Sequence, residues 1–522
     1  MDEDILVFNG IDGSTGRPSW PALRCAQLVR AILTQADPAN LLDLRIRRKQ
    51  DEQSEEALLR LQQLAAETVA QLRAGPADSS TSASVQELTA SLQRLEQAIR
   101  ERQHLGVREG IDANDLRQAG WGIVFADTAD PQLQEALAPL LELRRNQAGE
   151  RFRIFSDARG YRTGGRETKA RFLVRNGATA AGPVSPEAVP YYLLIVGDPE
   201  TIPFEFQHQL DVQYAVGRVY FESTAEYAQY ARSVVAAEQQ QCSLPRTLTF
   251  FDVANPDDRA TQLSSRQLVA PLHELFASGL PGWNIHRLSG PDASKEQLQK
   301  LLQAAPPSLL FTASHGMEFA AGSDDQRRYQ GALLCADWPG PSLLGKIPRQ
   351  HYFAAEDVTA DASLLGLLVF MFACYSAGTP AHDSFSCSGQ PNQRAPAPFV
   401  AALPQRLLSH AGGGALAVIG HVDRAWGYSF TWSGGAQRVH TAAIESTLRR
   451  LLQGERIGYA MEYLNQRYAE LVTMLSDELT AVRNLRQPDE RALAELWTAA
   501  YDARGYCVLG DPAVRLPAVA MP

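Results

Sequence analysis

The chain has 522 residues, a hydrophobic content of 45% and a formal net charge of -10. That length allows two or three domains with sizeable cores, and the acidic balance, without a basic stripe of interleaved aromatics, argues against a nucleic-acid-binding face. No apolar run approaches the roughly 20 residues of a membrane span, and Met1-Asp2-Glu3-Asp4 followed by the short run Ile5 to Phe8 lacks the basic start and long apolar core of a signal peptide.

In chain order, Ile5 to Phe8 reads as a short strand, followed by a Gly-rich turn, Asn9-Gly10-Ile11-Asp12-Gly13-Ser14-Thr15-Gly16, and a helix beginning near Pro21. The turn lacks the Gly-Lys-Ser/Thr ending of a phosphate loop, so it is read as a turn rather than a nucleotide site. Asp51 to Leu72 is helical in pattern, and Val85, Leu88, Leu92, Leu95 and Ile99 follow three-and-four spacing. The polar stretch Gly75 to Ser82 breaks them into a helical hairpin, an insertion that either docks a partner or covers the core.

From Trp121 onward, apolar strands alternate with helical stretches. The strand candidates are Gly122 to Ala126, Tyr191 to Asp198, Leu248 to Val253, Leu309 to Ala313, Leu367 to Ala373 and Ala415 to Gly420. Helices are expected at Pro131 to Arg145, Ser223 to Gln239 and Ser265 to Ala277. Such alternation predicts an α/β fold with a mostly parallel sheet between helical layers. The organisation expected is a region 1–115 with the helical hairpin, an α/β subdomain 116–241 and a catalytic subdomain 242–522.

Two strand candidates end in residues that carry nucleophile chemistry: Phe311-Thr312-Ala313-Ser314-His315-Gly316 and, about sixty residues on, Phe370-Met371-Phe372-Ala373-Cys374-Tyr375-Ser376. In a parallel sheet both would emerge at the carboxyl edge, where open α/β folds place their ligands. A thiolate is the nucleophile of acyl transfer, a His can protonate the leaving amine, and Gly316 lets the backbone N–H approach a developing oxyanion. The six cysteines are dispersed without a CxxC pair, which points to a reduced, cytoplasmic setting that keeps Cys374 a thiol. The other histidines, such as His351, His382, His421 and His440, show no metal-ligand spacing.

Ala313-Ser314-His315-Gly316 with Phe372-Ala373-Cys374-Tyr375 resembles the His-Gly and Ala-Cys signature of the caspase-like clan of cysteine peptidases, and within it the gingipain family. The family is also similar at Ile195 to Pro199 with Ile202-Pro203, at Tyr214 with Gly217-Arg218, at Gly414-Ala415 through Gly420 with Trp426, and at Val508 to Pro512. The resemblance spans roughly residues 190–517 and leaves 1–115 outside. It implies caspase/gingipain-like αβα layers and a Cys–His endopeptidase. In that mechanism Cys374 is the nucleophile, His315 the general acid/base, and the backbone N–H groups of Gly316 and Cys374 form the oxyanion hole. It further implies Asp252 as the carboxylate orienting His315, although Asp is also favoured as a strand-end turn residue.

Arg-cleaving members place an acid in the pocket and wall it with an aromatic; Trp426 matches the wall, and the nearest acids are Asp257 and Asp258, which are either pocket residues selecting Arg or Lys or solvated loop residues. No cofactor is required. The resemblance suggests a stabilising calcium ion, for which no EF-hand-like loop is present. The expected partners are protein substrates and an activating protease or regulatory protein, with no nucleic acid and no membrane. Latency is expected to be relieved by cleavage in 322–328 or 383–397, which contain Arg327, Arg328 and Arg394. Two other readings stay open: a caspase-like protease of a bacterial defence module with one dedicated substrate, and a pseudo-protease scaffold.

Overall fold

The computed structural model describes residues 5–6, 9–19, 23–35, 106–165, 167–241, 244–343, 345–383, 392–427, 430 and 441–517. The expected helical hairpin at 51–99 lies outside the described residues.

A ten-stranded sheet organises the molecule. Its strands are β1 (Trp121–Phe125), β2 (Phe152–Phe155), β3 (Tyr192–Val196), β4 (Ala215–Val219), β5 (Thr247–Asp252), β6 (Asn284–Ser289), β7 (Leu309–Ala313), β8 (Leu368–Phe372), β9 (Ala417–His421) and β10 (Tyr506–Gly510). Their spatial order is β2-β1-β3-β4-β10-β9-β8-β7-β5-β6. Five strands on each side are parallel to one another, and the two halves meet at an antiparallel junction in which Ala417 faces Gly510 and His421 faces Tyr506. This is the mostly parallel α/β fold expected from the alternation. The last strand completes the half built from residues 121–219, so the sheet runs continuously from one half to the other.

The sequence explains the layering. Tyr-Leu-Leu-Ile-Val in β3 and Leu-Val-Phe-Met-Phe in β8 are buried at every position, as in a sheet with both faces covered. The edge strands β2 and β6 are partly exposed. Between strands, helices start on sequence-encoded caps: Asp130 before Pro131–Ala136, with Pro at the first turn, and Ser223 with Glu226 in a capping box for Thr224–Glu238. Asp511, fully buried after β10, accepts from Trp121 Nε1 (2.9 Å) and Arg144 Nε (2.7 Å) and so fastens the turn after β10 to the first strand of the sheet. Among the described residues, no helix is long and apolar enough to cross a membrane.

Outside the sheet, Ile5–Leu6 pairs with Leu23–Arg24, and the helix Cys25–Gln35 follows, packing on the helix Glu490–Gly505. Residues 9–19 do not form an isolated surface turn. Ile11–Asp12 pairs in parallel with Met317–Glu318, directly after the His-Gly segment.

Candidate active site

Strand register brings the two singled-out segments together. Ala313 at the end of β7 is paired with Phe372 of β8 on one side and with Asp252 of β5 on the other. His315 and Cys374 therefore each lie two residues beyond the same rung of neighbouring parallel strands, at the carboxyl edge of their half. Ser314 N–H donates to Phe372 O (3.2 Å), and a Cβ built on Gly316 would lie 1.8 Å from Cys374 O. Only glycine permits this backbone contact, which sets the peptide of Gly316 against that of Cys374. Tyr375, next after the thiol, has φ of 57°, a costly left-handed conformation for a bulky aromatic. Its N–H is held by Asp423 O at 2.6 Å.

His315 is 3% exposed, and both ring nitrogens are engaged. Nε2 faces Asp258 Oδ2 at 2.8 Å, and Nδ1 accepts the N–H of Gly10 at 3.2 Å. This pattern assigns the proton to Nε2 and leaves Nδ1 as the acceptor. Asp258 also accepts from the Thr261 hydroxyl (2.5 Å), and the loop that carries it is fixed by Asn255, whose side chain donates to Cys335 O and Trp338 O. Burial raises the Asp258 carboxyl, but the contact with His315 through Nε2–H, with the hydrogen bonds of Thr261, outweighs it and holds the group at about 2.

Asp252, expected to orient His315, is placed elsewhere. Fully buried at the end of β5, it takes a bidentate pair from Arg287 (2.9 and 2.8 Å) and the Ser265 hydroxyl (2.6 Å). The reason is geometric. β5 neighbours β6, which carries Arg287, whereas the chain reaches the imidazole only after the Val253–Asp257 loop. Asp258, expected in a specificity pocket, is the carboxylate on the histidine. Asp257 is exposed at φ of 55°. Trp426 is 4% exposed; its N–H is held by Asp502 (2.7 Å), and it lines a cavity of about 30 Å³ with His421, Asp423, Arg424 and Tyr501.

Cys374 is a free thiol, 1% exposed, and its Sγ donates to Ala425 O at 3.5 Å. Burial pushes the thiol up to about 12. Around it runs an ion cluster that the sequence reading did not foresee. Arg394 bonds Glu318 (2.6 Å) and Asp383, while Arg424 bonds Asp383 and Asp423. Arg394 is thereby largely covered, its side chain 9% exposed, whereas Arg328 pairs with Glu356 and is 61% exposed; Arg327 lies over the Phe399 ring. Among the described residues no three His, Cys, Asp or Glu side chains converge as a metal site.

No protein-family model and no curated protein matches the chain. Several solved structures are similar. One is described as a protease, with 16% identity over 78% of this chain and 81% of that one and a TM-score of 0.45. A second is the complex of the Porphyromonas gingivalis RgpB pro- and mature domains, at 13% identity, 76% and 80% coverage and a TM-score of 0.42. A third is the Saccharomyces cerevisiae separase–securin complex, at 11% identity and a TM-score of 0.28, covering 88% of this chain and 28% of that one. At these values the likeness assigns neither family nor activity.

The signals for the residues that sequence reasoning misplaced are local. Asn255-Pro256-Asp257-Asp258 ahead of Thr261 has the composition of a helix start, and Asp258 is the N-cap of the helix Arg259–Ser264. Its carboxylate is spent on His315 and Thr261. Nothing in Asn9-Gly10-Ile11 pointed to the histidine, 305 residues away.

Proposed function

We propose that the chain is a cysteine endopeptidase in which Cys374 is the nucleophile, His315 the general acid/base and Asp258 the residue positioning the imidazole. The observation that carries this reading is the 2.8 Å contact of His315 Nε2 with Asp258, on an imidazole set one strand away from the thiol and level with it. With Nε2 held by a carboxylate, Nδ1 is the nitrogen left to exchange a proton. In the reaction Cys374 passes its proton to Nδ1 and Sγ bonds the scissile carbonyl carbon. The backbone N–H groups of Gly316 and Cys374 face the resulting oxyanion. The C–N bond then breaks, the leaving amine takes the proton from Nδ1, and water, deprotonated by Nδ1, releases the acid from the thioester and restores the thiol.

A basic residue before the scissile bond is the preferred substrate feature. The charges of Glu318, Arg424 and Asp423 reach Cys374, and Glu318 Oε2 is buried without a hydrogen-bond partner, so a basic side chain would meet Glu318 beside its Arg394 pair. The free thiol suits a reducing, cytoplasmic compartment. A second reading is favoured by the covering of Cys374: a protease with one dedicated protein substrate, or a scaffold that cleaves nothing.

Cleavage of a peptide library diversified at the residue before the scissile bond, by wild type and Cys374→Ala, each intact and after limited digestion by another protease, tests the proposal. Cleavage after Arg or Lys that disappears in the variant supports it. Cleavage that persists in Cys374→Ala refutes it.

A further inference from the structure

We propose that residues Asn9–Ser19 are an intramolecular strap that occupies the catalytic cleft and holds the site inactive, an inference that rests on reading this site as a peptidase. The decisive atom is the Gly10 amide nitrogen. Its N–H donates to His315 Nδ1 at 3.2 Å, filling the lone pair that has to receive the thiol proton. The same residue faces the sulfur: a Cβ built on Gly10 would lie 3.6 Å from Cys374 Sγ. Gly10 has φ of 104°, a conformation L side chains rarely adopt, so the strap brings backbone rather than a side chain to the dyad. The thiol and the imidazole are 1% and 3% exposed with the strap in place, leaving no room for a scissile carbonyl.

The strap is anchored in the cleft. Beyond the Ile11–Asp12 pairing with Met317–Glu318, Gly13 N–H donates to Glu318 O (2.8 Å) and Ile347 N–H to Gly13 O (2.7 Å). Ile11 is 1% exposed in an apolar cluster with Met317, Phe319, Leu334 and Trp338. The chain then turns back on itself, Asp12 N–H donating to Arg17 O (2.9 Å) and Ser19 N–H to Gly10 O (3.0 Å). An extended segment paired with a short strand beside the nucleophile is how a substrate main chain would dock by strand addition. The strap holds that edge, and no bond has to be cut to free it: Gly10 has to withdraw.

The burial-raised thiol agrees with a resting state, because an un-ionised Cys374 is a poor nucleophile.

Gly13→Val in the full chain tests the strap away from the catalytic groups. A Cβ there would meet the Phe319 ring at 2.5 and 2.7 Å and Met317 at 2.8 Å, so the hairpin has to leave its seat. Alkylation of Cys374 by iodoacetamide, followed by mass spectrometry of its peptide, reads exposure without assuming any activity. The expected result is an increase of at least tenfold in the Cys374 alkylation rate over wild type, accompanied by increased peptide cleavage. An alkylation rate equal to wild type in a cooperatively folded Gly13→Val chain overturns the strap. If that variant does not fold, Ile11→Ala, which removes a buried anchor without adding bulk, decides by the same criterion. Faster alkylation without cleavage keeps the strap and refutes the peptidase.

Discussion

Asp258 and Asp252 offer the sharpest test of the site, because both are buried carboxylates near the same edge and only one touches the imidazole. The perturbation is Asp258→Asn against Asp252→Asn, each in the strap-released Gly13→Val chain. The fold lowers the Asp258 carboxyl from 3.8 to about 2, which corresponds to about 2 kcal/mol in favour of the ionised form in contact with His315. Losing that interaction should lower kcat by roughly 10- to 100-fold, while KM, set by contacts of the substrate chain, stays within about twofold. The neutral amide also removes the acceptor-only partner that fixes the proton on Nε2. Asp252→Asn acts on stability instead. It leaves the Arg287 guanidinium, 23% exposed, without its bidentate partner, at a cost of roughly 3 kcal/mol. A lower melting temperature with nearly unchanged kcat per folded molecule is expected. Steady-state kinetics with the best library peptide, paired with thermal melts, separates the two. Asp258→Asn within about threefold of its parent in kcat, or Asp252→Asn losing as much kcat without losing stability, would refute the assignment.

Three further outcomes follow from the same geometry. Asp258 has a depressed value in the fold, so its stabilisation is present above its ordinary value of 3.8 and is lost as pH falls towards about 2; denaturant unfolding between pH 5 and pH 2 should cost wild type about 2 kcal/mol more than Asp258→Asn. Cys374, raised by burial to about 12, should be alkylated in the resting chain roughly a thousandfold more slowly at pH 7.5 than an ordinary thiol of about 8.5, and its rate should still be climbing at pH 10; a plateau near pH 9 would contradict the burial. Gly316→Ala has to displace the Cys374 backbone, since the added carbon falls 1.8 Å from its carbonyl oxygen. Loss of cleavage and a destabilisation of several kcal/mol are expected, against near-wild-type behaviour if the contact is soft.

Central strands were legible in the sequence where both faces are buried, because burial on two sides demands an uninterrupted apolar run: β3, β7 and β8 were expected within a residue or two of where they stand. Strands without that signal were passed over. β6 reads Asn-Ile-His-Arg-Leu-Ser because it is an edge, and its Arg287 is there to bind Asp252. β4 contains Gly217 and Arg218. The glycine is required because a Cβ would lie 2.1 Å from Gly510 O, and the buried arginine is satisfied by Gln207 and by the carbonyls of Gly197 and Ile202. The glycine looks wrong for a core strand until the partner strand β10, nearly three hundred residues later, is in place, and the arginine until the carbonyls just beyond β3 are.

The site divides the same way. His315 and Cys374 were readable because each follows its own strand, so local patterning sets their position and the parallel register does the rest. The third member was not, because choosing between Asp252 and Asp258 depends on which neighbour each carboxylate finds. Periodicity carries no information about a loop that folds back over a strand end. The strap is the extreme case, since Asn9-Gly10-Ile11 has the composition of a turn and becomes a cover for the dyad only through contacts about three hundred residues away in sequence. The structure changes what the glycines in that turn mean. A turn needs glycine for its backbone angles alone, and another small or polar residue such as Asn can often replace it. A strap needs Gly10 because its φ of 104° is one that L side chains rarely adopt, and Gly13 because Phe319 and Met317 crowd it, so substitutions harmless to a surface turn should here loosen the cover and expose the thiol.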